Sequence, residues 1–343
     1  MEGPPLHAID PSVALDTLAK SLIEKALAPV KNDLAELNRR LVDFIPTETA
    51  TARAVSEHVL AAGGKRIRPA LFFMASELLG YRGDHLYQIA AVTEFVHAAS
   101  LLHDDVIDNS TLRRNRPTAN SIYGGAASVL VGDLIYSTAS EMMAATGNME
   151  IVKTFARAIR LMSDGELLQL ENLYNADVSE VTYMNILEYK TAVLIAASCQ
   201  AAGLLANASQ AQCDALASFG HHVGLAFQLI DDALDYTGSA EVVGKATHSD
   251  LLEGKVTLPV ILLRTAATPS EWARVQELIS QDITQASVVE IAALVDKYDT
   301  ANLTVERAHG FTMKAMAALH SFPAGTARDH LENLANKLLF RFN

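Results

Sequence analysis

The sequence predicts an all-α protein, a single-domain bundle of ten or more helices around a deep central cavity. After Pro117 the next proline is Pro259, so a long internal stretch lacks the residue that most often breaks helices. That stretch is rich in Ala, Leu, Met, Glu and Gln, which favour helix. Few windows alternate apolar and polar residues with the period of two that indicates a strand, so no sheet is expected.

Two helix starts are visible from their capping residues. Ser209 and Gln212 form a capping box, in which each side chain accepts the other residue's backbone N–H. Thr268 and Glu271 form a second box, with Pro269 at the first helical position. Glycines predict breaks between helices at residues 63–64, 80–83, 124–125, 147 and 238–254.

Residues 1–12 include three prolines and are expected to form a flexible tail. No later stretch rich in Gly, Ser or Pro is long enough to be a linker between domains. Residues 13–343 are therefore predicted to form one domain.

The charge of the chain restricts its partners. It has 343 residues, and 40 acidic against 27 basic residues give a formal net charge of −13. Such a chain does not have the basic character that nucleic-acid binding requires, so no nucleic-acid partner is expected. A small phosphorylated substrate remains possible, because divalent cations bridge carboxylates to phosphates.

Cys199 and Cys213 are the only cysteines, which provides neither a disulfide framework nor zinc-ligand spacing. We expect both to be buried, in a protein of the reducing cytoplasm. The N-terminus lacks the pattern of a signal peptide. The most apolar long segment, 192–206, contains polar residues and is too short to span a bilayer, so it is predicted to be a buried core helix.

The motif Asp-Asp-x-x-Asp occurs twice, each time after an apolar run, as Asp104, Asp105 and Asp108 and as Asp231, Asp232 and Asp235. Residues four apart lie on one face of a helix, so the first and last aspartates of each motif lie side by side. Like charges at this spacing destabilise a helix unless something neutralises them, and Mg²⁺ binds such carboxylates together with phosphates. A solvated acidic helix end is the simpler alternative, but the apolar flanks place both motifs beside the core. We predict metal sites, with Asp105 and Asp232 as further ligands or supporting groups.

Basic residues cluster around both motifs: Lys65, Arg66 and Arg68; Arg113, Arg114 and Arg116; Lys190; and Lys245 and Lys255. Arginine binds phosphate oxygens in bidentate geometry, and lysine supplies a compact charge. Taken singly, each cluster is more simply a solvated basic face. Together they predict a site for diphosphates bound through metal on one side and cations on the other.

These motifs resemble those of trans-polyprenyl diphosphate synthases, most closely the long-chain octaprenyl type. The similarity covers residues 55–265 and rests on Gly-Gly-Lys-Arg-Ile-Arg-Pro, both aspartate motifs, Lys-Thr at 190–191, Phe-Gln at 227–228 and Gly-Lys-Val-Thr-Leu-Pro at 254–259. It implies the isoprenoid synthase fold and a prenyltransferase that joins isopentenyl diphosphate to a farnesyl- or geranyl-type allylic diphosphate. It also implies three Mg²⁺ ions per active site, with Mn²⁺ as an alternative, a homodimer, and a product that becomes a quinone side chain.

The resemblance implies roles for individual residues. Isopentenyl diphosphate would contact Lys65, Arg68, His97 and Arg114. Mg²⁺ would be held by Asp104 and Asp108 and by Asp231 and Asp235, while the allylic diphosphate would also contact Arg113, Lys190, Lys245 and Lys255. Oxygen dipoles near the developing carbocation would come from Thr191 and Gln228. A histidine such as His97 is often only a core residue, but it precedes Asp104 by seven positions and so falls on the same helix face.

The chain departs from the family pattern after Lys245, where it reads Ala-Thr-His-Ser-Asp. Many relatives have a glycine at the position of His248. Asp250 and Lys255 are retained, so we expect the loop to keep its place while His248 alters its structure.

Product length is predicted from the helix that ends in the first motif. The growing tail should run back along this helix from Asp104, past the small residues Ser100 and Ala99 and then Val96. Phe95 points elsewhere, and a floor is expected from the facing helix, at Tyr136, Met142 and Met143. An open tunnel of this kind predicts about eight isoprene units, with seven to ten possible. The alternative is that Ala99 and Ser100 only allow close helix packing.

Three other functions compete with this one. A class I terpene cyclase also uses an aspartate-rich motif and Mg²⁺, but it binds one diphosphate and its second motif has Asn, Ser or Thr, and Glu. A regulatory subunit of a heteromeric synthase tends to lose one motif or the arginine pair. A structural helical protein would explain neither motif.

Overall fold

The computed structural model describes residues 21–61, 64–113, 116–237, 248–280 and 282–339. Residues 21–27 are helical and lead into a 3₁₀ turn at Ala28–Val30. The α-helices that follow are α1 (Lys31–Arg40), α2 (Ala50–Ala61), α3 (Ile67–Leu78), α4 (Leu86–Ile107), α5 (Ala119–Tyr123), α6 (Gly125–Ala145), α7 (Met149–Glu171), α8 (Glu180–Leu187), α9 (Val193–Leu205), α10 (Gln210–Thr237), α11 (Ser249–Leu252), α12 (Leu258–Ala266), α13 (Pro269–Leu278), α14 (Gln285–Lys297), α15 (Thr300–Ala318) and α16 (Thr326–Leu339). The prediction of an all-α fold with ten or more helices is confirmed. The predicted tail at residues 1–12 lies outside the described residues.

One small hairpin departs from the expectation that the chain has no sheet. Strands β1 (Leu112–Arg113) and β2 (Arg116–Pro117) pair antiparallel directly after α4, with Arg113 opposite Arg116. Strands of two residues are too short to show an alternating pattern in the sequence. The hairpin positions Arg113 beside the first aspartate motif.

Both predicted helix caps are confirmed. The Gln212 N–H donates to Ser209 Oγ at 3.3 Å, and the Ser209 N–H donates to Gln212 Oε1 at 3.1 Å. The Thr268–Glu271 capping box is also complete, with Pro269 in the first turn of α13.

The centre of the fold is made by long helices in pairs, since α4 packs along α6, and α10 packs along both α9 and α15. Glycines bring α10 close to its neighbours: a Cβ atom on Gly224 would lie only 2.6 Å from the Cα atom of Ala192. Helix α10 contributes Phe219 to one apolar cluster and Leu229 to a second, so it links the two parts of the core.

The segment predicted as a buried core helix is α9, preceded by a single π-helical turn at Glu188–Ala192. Cys199 and Cys213 are free and buried, and burial raises the pKa of the Cys199 thiol to about 12. Among the described residues, no helix has the length and apolar character needed to cross a membrane.

Candidate active site

The first aspartate motif lies at the C-terminal end of α4. Asp104 and Asp105 are in its last turn and Asp108 follows directly, with its N–H donating to the Asp104 carbonyl at 2.8 Å. The C-terminal end of a helix carries partial negative charge and disfavours carboxylates. Three aspartates at this end are therefore poorly placed for stability, which indicates a functional reason for them.

The Asp104 carboxyl is the clearest case of charge crowding. Its pKa is raised to about 6, first by burial and then by Glu166 and Asp108, while Lys190 and Arg113 oppose the shift. Glu166 comes from α7 and was not recognised in the sequence. The sequence contained one indication of it, the neighbouring Gly165. Glycine is unfavourable inside a long helix unless another part of the chain approaches closely there.

The buried Asp105 forms an ion pair with the half-buried Arg113. Arg113 Nε and Nη2 lie 2.8 Å and 2.7 Å from Asp105 Oδ1. Asn120 donates to the backbone carbonyls of Asp105 and Ser110, at 3.0 Å and 3.1 Å, and so ties the hairpin region to α4. Asp105 thus orients Arg113, which supports its predicted place as a supporting group.

The second motif lies in the last turns of α10. The buried Asp232 accepts hydrogen bonds from Tyr183 Oη at 2.6 Å and Gln228 Nε2 at 2.8 Å. Its pKa is raised to about 8, mainly by burial and then by the nearby Asp250 carboxylate. Thr191 Oγ1 donates to Gln228 Oε1 at 3.2 Å, so the two residues predicted to act together are in contact. Tyr183, from α8, is a supporting residue that the sequence pattern did not reveal.

Asp235 binds the start of α11 across a loop. Its Oδ1 accepts from the Ser249 N–H at 3.1 Å, and its Oδ2 accepts from the Asp250 N–H at 3.2 Å. The carboxylate therefore satisfies backbone donors of the first turn of α11. The role of Asp235 as a metal ligand stays a prediction. Asp231 is half-buried on the same helix, and its role as a metal ligand also stays a prediction.

Two lysines from the second half of the chain face the first motif. Lys190 lies in the π-helical turn, a feature frequent at functional sites, and its Nζ is 2.6 Å from Glu166 Oε2. Lys255 Nζ is 3.8 Å from Asp108 Oδ2 and 2.5 Å from Glu253 Oε2. The Lys255 N–H also donates to the Asp250 carbonyl at 2.8 Å. Asp250 donates its own N–H to the Asp235 carboxylate. Lys255 is therefore linked to the second motif through Asp250 and lies beside Asp108 of the first.

The basic cluster at the start of α3 contains one residue with a clear structural role. Arg66 has a left-handed backbone (φ +48°) and its guanidinium binds Glu94, the Leu60 carbonyl and Asn38, so it stabilises the fold. Lys65, Arg68 and His97 are half-buried, and their predicted contact with isopentenyl diphosphate stays a prediction. Arg114 and Lys245 lie outside the described residues.

The chemistry of the site suits a hard divalent cation. Carboxylates from two motifs and Glu166 provide oxygen donors, and burial, followed by the charges of Glu166 and Asp108, raises the pKa of Asp104. Within the described ranges, no three His, Cys, Asp or Glu side chains converge into a closed metal cage. Mg²⁺ does not need one, since it binds through one or two carboxylates, waters and substrate phosphates. The residues present therefore fit Mg²⁺.

The residues predicted to control product length lie on α4 and α6, which pack along each other. Ala99 and Val96 are fully buried, Ser100 is half-buried, and Met142 and Met143 are buried on α6. Tyr136 lies at a different level: its ring is 5.9 Å from that of His103, beside the first motif. Burial and the Asp104 charge raise the pKa of its phenol to about 12. Tyr136 therefore lies at the level of Asp104, whereas Met142 comes about two turns later on the same helix. The expectation that Tyr136 helps form the floor of the tunnel is wrong for this reason.

Helices at the centre of this fold thus bring two acidic motifs and several cations to one place, as in an enzyme that binds diphosphates through metal. Comparisons with known proteins identify the family. The polyprenyl synthetase family model matches residues 49–295. Octaprenyl diphosphate synthase of Escherichia coli (strain K12) is 36% identical over 314 residues, which cover 92% of this chain and 97% of that protein.

Solved structures agree. Polyprenyl synthase from Caulobacter crescentus CB15, complexed with calcium and isoprenyl diphosphate, matches with a TM-score of 0.87 and 39% identity over 94% of this chain and 98% of that one. Decaprenyl diphosphate synthase from Rhodobacter capsulatus matches with a TM-score of 0.88 and 35% identity over 94% and 99% of the two chains. The chain belongs to the polyprenyl synthetase family. It is a prenyltransferase of isoprenoid biosynthesis with the isoprenoid synthase fold, and its relatives include long-chain trans-prenyl diphosphate synthases.

Proposed function

We propose that this enzyme condenses isopentenyl diphosphate with a farnesyl- or geranyl-type allylic diphosphate to make an all-trans product of eight isoprene units (C40, within C35 to C50) for quinone side chains. The observation that carries this proposal is the contact between Lys255 Nζ and Asp108 Oδ2 at 3.8 Å. It places a cation beside the first aspartate motif, and Asp250 links the same lysine to Asp235 of the second motif, so that both motifs can act on one allylic diphosphate. The octaprenyl name of the Escherichia coli relative supports the length.

The residues divide between the two substrates. Asp104 and Asp108 hold the allylic diphosphate through metal, and Asp231 and Asp235 hold metal on its opposite side. The cations that contact the oxygens of this diphosphate are Arg113, Lys190, Lys245 and Lys255. Isopentenyl diphosphate is held by Lys65, Arg68, His97 and Arg114. When bound, Mg²⁺ (three ions per site, or Mn²⁺ in its place) supplies stabilisation of the negative charge on the departing pyrophosphate.

The chain's own groups then stabilise the charge that develops. Lys190 and Lys255 stabilise negative charge as the carbon–oxygen bond ionises. The Thr191 hydroxyl and the Gln228 amide place oxygen dipoles near the positive allylic carbon. Gln228 donates its amide N–H to Asp232, which holds its oxygen in a fixed orientation. The double bond of isopentenyl diphosphate attacks, and the released pyrophosphate accepts the proton that is lost.

The tail of the growing product runs between α4 and α6. Ala99, Ser100 and Val96 leave space for it because their side chains are small, and Met142 and Met143 end it with flexible side chains. Val96, Ala99, Met142 and Met143 are buried and apolar, and a lining of this kind keeps water from the allylic cation.

We also propose that two copies of the chain form a homodimer through α5 and α6. Leu130 is 67% exposed and Ile122 50% exposed, with Val129 next to Leu130. Exposed apolar side chains on neighbouring helices are typical of a surface covered by a partner. The two buried free thiols support a cytoplasmic location. Helix α10 is continuous, which supports a single catalytic domain.

The direct test is incubation of the purified enzyme with labelled isopentenyl diphosphate, Mg²⁺ and either farnesyl or geranyl diphosphate. Chromatography of the dephosphorylated products should show a main species of eight isoprene units. Omission of the allylic primer should abolish incorporation. A cyclic hydrocarbon released from one diphosphate, or no incorporation with either primer, would overturn the proposal.

A further inference from the structure

His248, directly before α11, has an uncommon backbone conformation. It is in the left-handed region, with φ +66° and ψ +30°, at the N-cap position of α11. Glycine adopts this conformation freely, and among residues with a Cβ atom it is infrequent and occurs most in Asn, Asp and His. Contacts around His248 also hold it in place.

Three contacts do so. The His248 N–H donates to the backbone carbonyl of Asp235 at 3.0 Å, and the His248 carbonyl accepts from Leu252 at 3.3 Å. The imidazole meets the ring of Tyr236 edge to face, with centroids 5.6 Å apart and planes at 82°. Aromatic pairs favour this geometry. The side chain thus attaches the turn to the last part of α10.

The turn in its present position supports both aspartate motifs. Ser249 and Asp250 follow His248 and place their N–H groups on the carboxylate of Asp235. Asp250 in turn accepts the Lys255 N–H, and the Lys255 ammonium faces Asp108. A shift of the turn would therefore move the carboxylate of one motif and the cation beside the other.

The imidazole is half-buried. Its Nδ1 is buried and makes no hydrogen bond within the part of the chain described here. What the structure shows for the ring is its packing against Tyr236.

We propose that His248 is a positioning residue, which through its ring contact with Tyr236 holds α11 on Asp235 and Lys255 beside Asp108. The inference rests on the proposed function, because it concerns how the diphosphate and metal groups are kept in place. It assigns to the side chain a task that a glycine here could not perform, since glycine has no ring to pack on Tyr236.

The test uses His248→Asn, Tyr236→Leu and the double variant. Asparagine tolerates the left-handed backbone but lacks the ring, and Tyr236→Leu removes the other ring. Asn207→Gly is the matched control, since Asn207 is also left-handed (φ +51°) and lies in the loop between α9 and α10. Each protein is titrated calorimetrically with pyrophosphate in saturating Mg²⁺, and backbone amide exchange of 249–255 is measured without metal.

We expect each single variant to bind Mg²⁺-pyrophosphate about ten- to a hundredfold more weakly, the cost typical of losing a group that supports metal ligands. Exchange in 249–255 should be faster, and the double variant should be no worse than either single one, because both remove the same contact. The Asn207→Gly control should match wild type. Wild-type binding by His248→Asn, or additive losses in the double variant, would overturn the inference.

These measurements are independent of elongation. Failure of wild-type enzyme to elongate a primer would refute the proposed function. The exchange and pyrophosphate data report separately on whether the ring contact holds the turn.

Discussion

Lys190 and Glu166 form an ion pair between the π-helical turn and α7, with Nζ 2.6 Å from Oε2. The two side chains are 24% and 14% exposed, so the pair is largely shielded from solvent. Gly165 makes the approach possible, since a Cβ atom there would lie 3.0 Å from Lys190 Cγ and 2.7 Å from Tyr189 Cβ. Glu166 therefore holds the cation that we assign to the allylic diphosphate.

The first prediction follows from this pair. Glu166→Ala should raise the KM for the allylic substrate, because Lys190 loses the partner that orients it, while the KM for isopentenyl diphosphate stays near wild type. Initial rates with each substrate varied in turn measure the two constants. Glu171→Ala, on the same helix, is the matched control. Equal rises in both constants would contradict a role through Lys190.

The second prediction concerns the aspartate motifs. Asp104→Ala or Asp231→Ala should lower turnover by orders of magnitude and leave the helical circular dichroism spectrum unchanged, because we assign these carboxylates to metal binding. Asp214→Ala is the control, since Asp214 is an exposed aspartate elsewhere on α10 that accepts from Gln210. Excess chelator should abolish wild-type activity. Full activity in chelator would exclude the metal-dependent reaction.

The third prediction separates the two diphosphate sites. Lys65→Ala and Arg68→Ala should weaken mainly isopentenyl diphosphate binding, whereas Lys190→Ala and Lys255→Ala should weaken mainly allylic binding. Loss of one cation from a diphosphate site should cost about tenfold, or more, in affinity, as for a charge-assisted hydrogen bond. Apparent affinities for each substrate decide the matter. The assignment fails if all four variants affect both substrates alike.

The fourth prediction is product length. Ala99→Tyr should shorten the product to farnesyl or geranylgeranyl length, because a ring in this fully buried position fills the space beside α4. Met142→Ala or Met143→Ala should lengthen it by removing the end of the tunnel. Chain lengths are measured by chromatography with excess isopentenyl diphosphate. A wild-type product that stops at geranylgeranyl length would rule out an open tunnel.

The fifth prediction is assembly. Wild-type enzyme should have twice the 36.9 kDa mass of one chain by light scattering at micromolar concentration. Leu130→Asp should shift the mass toward one chain, because a carboxylate would be buried at the proposed interface. Leu167→Asp is the comparison, since Leu167 is 59% exposed but lies on α7. A single-chain mass for wild type would count against the dimer.

The sequence by itself determined the helical architecture and the positions of the chemistry. A spacing of one helical turn predicted that Asp104 and Asp108 lie on one face of a helix, and the capping pairs at Ser209 and Thr268 predicted two helix starts. These inferences succeeded because hydrogen bonds between near neighbours fix helix ends and faces locally.

Only the tertiary structure decided which helices meet and how each polar side chain is used. Glu166 meets Lys190, Arg113 is held by Asp105, Asp235 caps α11, and Tyr136 lies beside His103. Each of these contacts depends on helices brought together by packing. Helical periodicity shows which side of a helix a residue occupies, but burial of the apolar faces determines what lies opposite it.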